Sequence, residues 1–108
     1  MAFGFPAKYQ EIIEWDHEEE FLFQIVEEGL EILQWQVTNH RGDMIYAKTP
    51  TGSVTLGERI LIQIVAPKVA IRSECYIPTQ LWDFGKNQKN VDRLIEVIEA
   101  VRLDKMGA

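Results

Sequence analysis

Residues 57–66 and 69–76 each alternate in side-chain character, with a single break at Pro67-Lys68. The first run sets Ile60, Ile62 and Ile64 against Leu61, Gln63 and Val65. The second sets Val69, Ile71, Ser73 and Cys75 against Ala70, Arg72, Glu74 and Tyr76. A period of two belongs to β-strands, whose successive side chains point to opposite faces. Pro67-Lys68 reads as a tight turn. The segment is therefore expected to be an antiparallel hairpin with one apolar and one mixed face, as in a sheet solvated on one side.

The rest of the chain supplies partners for that hairpin. Residues 8–15 read as a strand with Tyr9, Ile13 and Trp15 on one side. Residues 35–39 and 44–48 read as a second hairpin around a turn at 40–43, where Gly42 is free to take positive φ. Residues 49–53 are a further break. Residues 17–33 carry Leu22, Ile25, Val26, Gly29, Leu30 and Leu33 at helical spacing. Asp16 is the expected N-cap, with Glu19 completing a capping box and Glu18 to Glu20 in the first turn, where acids suit the helix dipole. Gly29 on the apolar face costs about 1 kcal/mol relative to alanine, which a close approach to the sheet would justify. The alternative is a helix ending at Gly29 and a strand over 30–37. A last helix over 88–103 buries Val91, Leu94, Ile95, Ile98, Val101 and Leu103, with Asn87 or Asn90 as its cap. Residues 1–7 read as an irregular arm and 104–108 as a frayed tail. The expected fold is α+β in the order β-α-β-β-β-β-α, one domain over 1–108 with a curved antiparallel sheet packed on helices.

A 108-residue chain with 46% hydrophobic residues suits a single domain with its own core. Cys75 is the only cysteine, so no internal disulfide can form and a cysteine-based zinc site is not expected. That fits a reducing, cytoplasmic setting. The start lacks a basic segment followed by an apolar stretch, so no signal peptide is expected, and the apolar runs are too short to span a membrane. The charge of −6 is uneven. Residues 1–31 hold nine acids and one base, a net of −8, which leaves +2 for the remainder. Nucleic-acid binders draw affinity from neutralising phosphates, so the acidic half argues against that role. A solvated helix face accounts for it.

No catalytic or metal constellation stands out. Cys75 has only His17 and His40 as potential bases, and its apolar alternating setting predicts a buried, inert thiol. Asp16, His17 and Glu19 point in different directions on a helix. His17 and Glu20 share one face, but no second donor cluster joins them, so no metal and no cofactor is expected. Arg72, Glu74 and Tyr76 share a strand face and either rim a cavity or stand in water; the second is favoured for charged residues. Asp83-Phe84-Gly85 copies a kinase magnesium-binding tripeptide in a chain far too short for a kinase. Gly85-Lys86-Asn87, with Lys89, opens a helix whose N-terminus could attract an anion, although the P-loop spacing is absent. The bland alternative is a capped junction plugged by Trp82 and Phe84. The candidate interaction surface therefore combines the 77–87 loop (Trp82, Phe84, Lys86, Asn87, with Lys89 beyond it) and the sheet face bearing Arg72, Glu74 and Tyr76.

From about Trp35 to Ile98 the chain resembles a family of small bacterial α+β domains of uncharacterised function. The motifs that carry the resemblance are an "I-x-A-x-T" return strand, a "G-E-x-I-x-I" strand, and a (W/F)D(W/F)GKNxKN signature before the last helix. Trp82, Asp83, Gly85, Lys86, Asn87, Lys89 and Asn90 match the signature, while Gln34 stands where the family has glycine before the tryptophan. The resemblance implies a domain found alone or attached to multi-pass, rhomboid-like membrane proteins, and it implies no activity. The element order is also similar to TBP-like and small helix-grip folds. The expected function is a non-enzymatic binding or protein-interaction module. Its partner would be another protein, or a second copy paired through the 8–15 strand or an exposed aromatic patch. The alternative is a small-ligand carrier or enzyme of helix-grip type. It would have a cavity between the sheet and the last helix, with Arg72, Glu74, Tyr76 or Tyr46 at the mouth. An accessory role beside a membrane protein is a third expectation, without direct membrane insertion, since the acidic half would be repelled by anionic lipid.

Overall fold

A computed structural model describes residues 8–50, 57–75 and 85–107. They form β1 (Lys8–Glu14), α1 (Glu19–Ile32), β2 (Gln36–Arg41), β3 (Met44–Lys48), β4 (Glu58–Val65), β5 (Lys68–Cys75) and α2 (Lys86–Gly107). The fold is α+β, in the expected order. The five strands make one antiparallel sheet, ordered β1-β5-β4-β3-β2 and not closed, with β1 and β2 at its edges.

The alternation of residues 58–75 organises the core. Ile60, Ile62, Ile64, Val69 and Ile71 are fully buried. They meet Leu22, Ile25, Val26 and Leu30 of α1 and Val91, Leu94 and Ile98 of α2 in a single cluster. Each such side chain contributes about 1.5–3 kcal/mol by leaving water. Both helices therefore cover the same face of the sheet, and among the described residues no element covers the other, the open face. The hairpin turns at Ala66-Pro67 and not at Pro67-Lys68, because Lys68 already pairs with Val65.

Several boundaries move for identifiable reasons. The helix starts at Glu19, and Asp16 does not cap it; the cap position is Glu18, without a side-chain bond. The residues before it are held elsewhere. The Trp15 N–H donates to Pro67 O at 2.9 Å, and the His17 ring lies 4.5 Å from Phe21. The helix does not stop at Gly29. A Cβ on Gly29 would sit 2.9 Å from Ile98 Cγ1, so the close approach that requires glycine is to α2 and not to the sheet.

α1 ends in a Schellman arrangement. Gln34 takes φ +59, its N–H donates to Glu31 O, and the Trp35 N–H donates to Leu30 O at 2.9 Å. Left-handed backbone costs a non-glycine residue about 1 kcal/mol. Gln34→Gly is therefore expected to raise stability by about 0.5–1 kcal/mol, read as a higher denaturant midpoint at unchanged slope.

β2 is shifted relative to the expected 35–39. His40 and Arg41, assigned to a turn from sequence, pair with Ile45 and Met44, and the turn shrinks to Gly42-Asp43. His40 is held by stacking on Phe23, ring centroids 5.2 Å apart. α2 continues to Gly107, so residues 104–107, expected to fray, extend the helix. Lys105 pairs with Glu28 of α1 at 2.9 Å near that end. Asn87 and Asn90 do not cap α2; both lie inside it and are buried.

Candidate functional site

Strand register fixes which side chains share the open face, because directly paired residues point the same way. One row runs Lys8, Glu74, Arg59, Lys48 and Gln36 across all five strands. The next runs Gln10, Arg72, Leu61, Tyr46 and Asn39, and a third runs Ile12, Ala70, Gln63, Met44 and Arg41. Glu14, Lys68 and Val65 close the far end. Ile12 and Val65 are 60% and 56% exposed, while Leu61, Tyr46, Ala70 and Met44 are half-buried. Six cations therefore stand here against Glu14, Glu74 and Asp43, whose carboxylate accepts from Gln63 Nε2 at 3.1 Å, an excess of three in a chain of net charge −6. The rest of the chain must then carry −9. Within the first two rows Glu74 lies 3.7 Å from Arg59 and 3.3 Å from Arg72.

The residues singled out from sequence do not form one surface. Arg72 and Glu74 are on the open face, away from both helices, and so is Tyr46. None of the three can sit at the mouth of a space between the sheet and α2. Lys86 and Lys89 are exposed on the first turn of α2, on the opposite side of the sheet. Asn87 is fully buried and belongs to no surface. Tyr76, Trp82 and Phe84, with the proposed plug, lie outside the described residues.

Asn87 and Asn90 instead build a buried polar cluster that sequence reasoning missed. Ser73 Oγ donates to Asn87 Oδ1 at 2.7 Å, and Asn87 Nδ2 reaches Cys75 Sγ at 3.6 Å. Asn90 Nδ2 donates to Glu58 Oε1 at 2.8 Å and to Ser73 Oγ at 3.2 Å. Thr49 Oγ1 donates to Glu58 Oε1 at 3.0 Å and accepts from the Glu58 N–H at 2.7 Å. The cluster ties the start of α2 to β4 and β5 and anchors their ends. One signal was visible: Glu58 and Ser73 are polar residues at core-facing strand positions, and Asn87 and Asn90 are spaced i, i+3. Cys75 is buried here, as expected, with Asn87 as neighbour.

A second polar group links the segment just after β1 to α2. Trp15 Nε1 donates to Glu99 Oε2 at 2.8 Å, and Arg102 donates to both Glu99 oxygens at 3.0 and 2.7 Å. Arg102 Nη1 also lies 3.3 Å from His17 Nε2. The Arg102 hydrogen bonds hold the Glu99 carboxyl below its ordinary range against partial burial, and the Trp15 N–H adds to the effect. A depressed folded-state value contributes stability above the ordinary carboxylate range that is lost as pH falls through the folded value. Glu99→Gln is therefore expected to lower the denaturant midpoint at about pH 7 and to cost less at about pH 3. Urea titrations at both pH values check this.

Among the described residues, no group of three or more His, Cys, Asp or Glu is placed to hold a metal ion, and no helix is long and apolar enough to cross a membrane. A shallow groove of about 370 Å³ between α1 and β2 is lined by Glu27, Glu31, Trp35, Val37, His40 and Ile45. Set against protein-family models and against curated proteins, the chain matches none of them.

Proposed function

We propose that the protein is a non-enzymatic interaction module that docks a protein partner across the open face of its sheet. The observation that carries this reading is the charge and apolar pattern of that face. Helices cover one side of the sheet only. The side away from both helices sets Leu61, Tyr46, Ala70 and Ile12 among six cations, in a chain that is otherwise strongly acidic. Exposed apolar surface rimmed by charge marks interaction sites more often than catalytic ones. A cytoplasmic setting is proposed with it, on the support of a single, buried cysteine.

Membership of the (W/F)D(W/F)GKNxKN family is proposed on separate grounds. Its support is a physical reason for the motif residues: Glu58 of the "G-E" strand and both asparagines of the signature meet in one buried cluster.

The double variant Tyr46→Ala/Leu61→Ser tests the surface. Cross-strand pairs on a solvated face are worth about 0.2–1 kcal/mol each, so the variant should melt only a few degrees lower. It should lose a partner that co-purifies stoichiometrically with the wild type. Retention of that partner by the variant, or a wild type that purifies alone under every condition, contradicts the reading.

A further inference from the structure

We infer that the cleft between α1 and the edge strand β2 takes an arginine side chain from an extended segment of a partner protein. The cleft lies on the helix side of the sheet, so the inference goes beyond the open-face reading and does not rest on it. Its volume is about 370 Å³, with Glu27 and Glu31 on the α1 side, Trp35 just past the helix end and Val37 on β2. The two glutamates are spaced i, i+4 on α1, where like charges repel each other. They sit toward the negative end of the helix dipole, and the last turn of α1 holds no base. Other glutamates of the two helices have cations: Glu28 meets Lys105, Glu96 meets Arg93 and Glu99 meets Arg102. Among the described residues no ion pair reaches Glu27 or Glu31. A cation placed between them relieves the repulsion and answers the dipole at once.

The rest of the lining selects the kind of cation. Trp35 is half-buried and Val37 is 46% exposed. A guanidinium stacks on an indole and forks to carboxylates, which a compact, strongly hydrated ion does not. Glu27, Glu31 and His40 are not grouped to hold a metal ion, and the His40 ring is held against Phe23. β2 favours an extended carrier for the guanidinium. Among the described residues no strand lies beyond it, and all six of its residues are exposed. Such an edge offers backbone N–H and C=O groups to an added strand. Alternate side chains of that strand enter the cleft, one carrying the guanidinium to the glutamates and the next an aliphatic group over Val37. A second copy pairing β2 to β2 fits less well, because its Arg41 would stay on the open face, away from the cleft.

The test is fluorescence anisotropy of the whole chain with three labelled peptides of about eight residues, long enough to span one strand. Each is built of threonine and serine with a valine two residues from the centre. The central residue is arginine in one, glutamine in another and glutamate in the last. The arginine peptide should bind, the glutamine peptide should bind at least about tenfold more weakly, and the glutamate peptide should not bind. Glu27→Gln/Glu31→Gln should weaken the arginine peptide at least about tenfold, with a melting temperature equal to or above that of the wild type, since two repelling charges are removed. Amide chemical shifts that move on titration should centre on β2, together with the Trp35 indole. No binding of the arginine peptide, equal affinity for the glutamine peptide, or unchanged affinity in the folded Glu27→Gln/Glu31→Gln variant overturns the inference. Shifts centred on Leu61 and Tyr46 also overturn it, and leave the open-face reading standing.

Discussion

Glu58→Ala is expected to destabilise the domain by about 2–3 kcal/mol and to lower its melting temperature by roughly 10–15 °C. Glu58 is 2% exposed and sits where β4 begins. Its side chain accepts from Asn90 Nδ2 at 2.8 Å and from Thr49 Oγ1 at 3.0 Å. Truncation leaves Asn90 with the longer bond to Ser73 at 3.2 Å and opens a void beside α2. A buried donor robbed of its acceptor costs about 1–3 kcal/mol, and the void adds a packing loss. The same argument sets the sign of a double-mutant cycle. With Asn90→Ala already in place, Glu58→Ala should cost about 1 kcal/mol less than in the wild type, because the shared bond is gone in both. Strict additivity would show that the two side chains do not act together.

Gly57→Ala is expected to cost a further large amount, about 3 kcal/mol, for a different reason. Gly57 has φ +91, and a Cβ there would lie 2.6 Å from the Thr49 carbonyl oxygen and 3.4 Å from that of Pro50. Left-handed backbone accounts for about 1–2 kcal/mol of the loss. The collision accounts for the rest, since Thr49 cannot retreat while its N–H donates to Glu58 O at 3.0 Å. Gly42→Ala separates the two effects. Gly42 has φ +54 with nothing within 4 Å of its Cβ position, so it should show the backbone cost alone. Denaturant midpoints for the two variants should differ by about 1–2 kcal/mol once multiplied by the slope.

The legible part of this fold was the part written as periodicity. The β4–β5 hairpin, the apolar stripe of α1 and the element order follow from side chains that must be buried together, and each pattern is local. The turn at Gly42-Asp43 and the start at Glu19 were not legible in the same way. They depend on His40 meeting Phe23 and on Trp15 being held by Pro67 and Glu99, contacts made between elements far apart in the sequence. Asn87 illustrates the same limit at the candidate site. Near a helix start it reads as a cap, yet a hydrogen bond from Ser73 of β5 draws it inward. The charge of the open face was only half visible. Arg72 and Glu74 could be placed on one side of a strand, but Lys8, Arg59 and Lys48 join them only through the register of four strands. The overall charge of −6 concealed that separation.

The central claim, that the open face is where this protein meets its partner, is tested most directly by position-resolved crosslinking. A photoreactive residue is placed at Leu61, in the middle of the open face, and in a second protein at Leu103, 55% exposed on α2. Irradiated in the cells that make the protein, the Leu61 position should give a discrete crosslinked species and the Leu103 position should give none. Crosslinks from Leu103 with none from Leu61 would contradict the account and move the functional surface to the helical side.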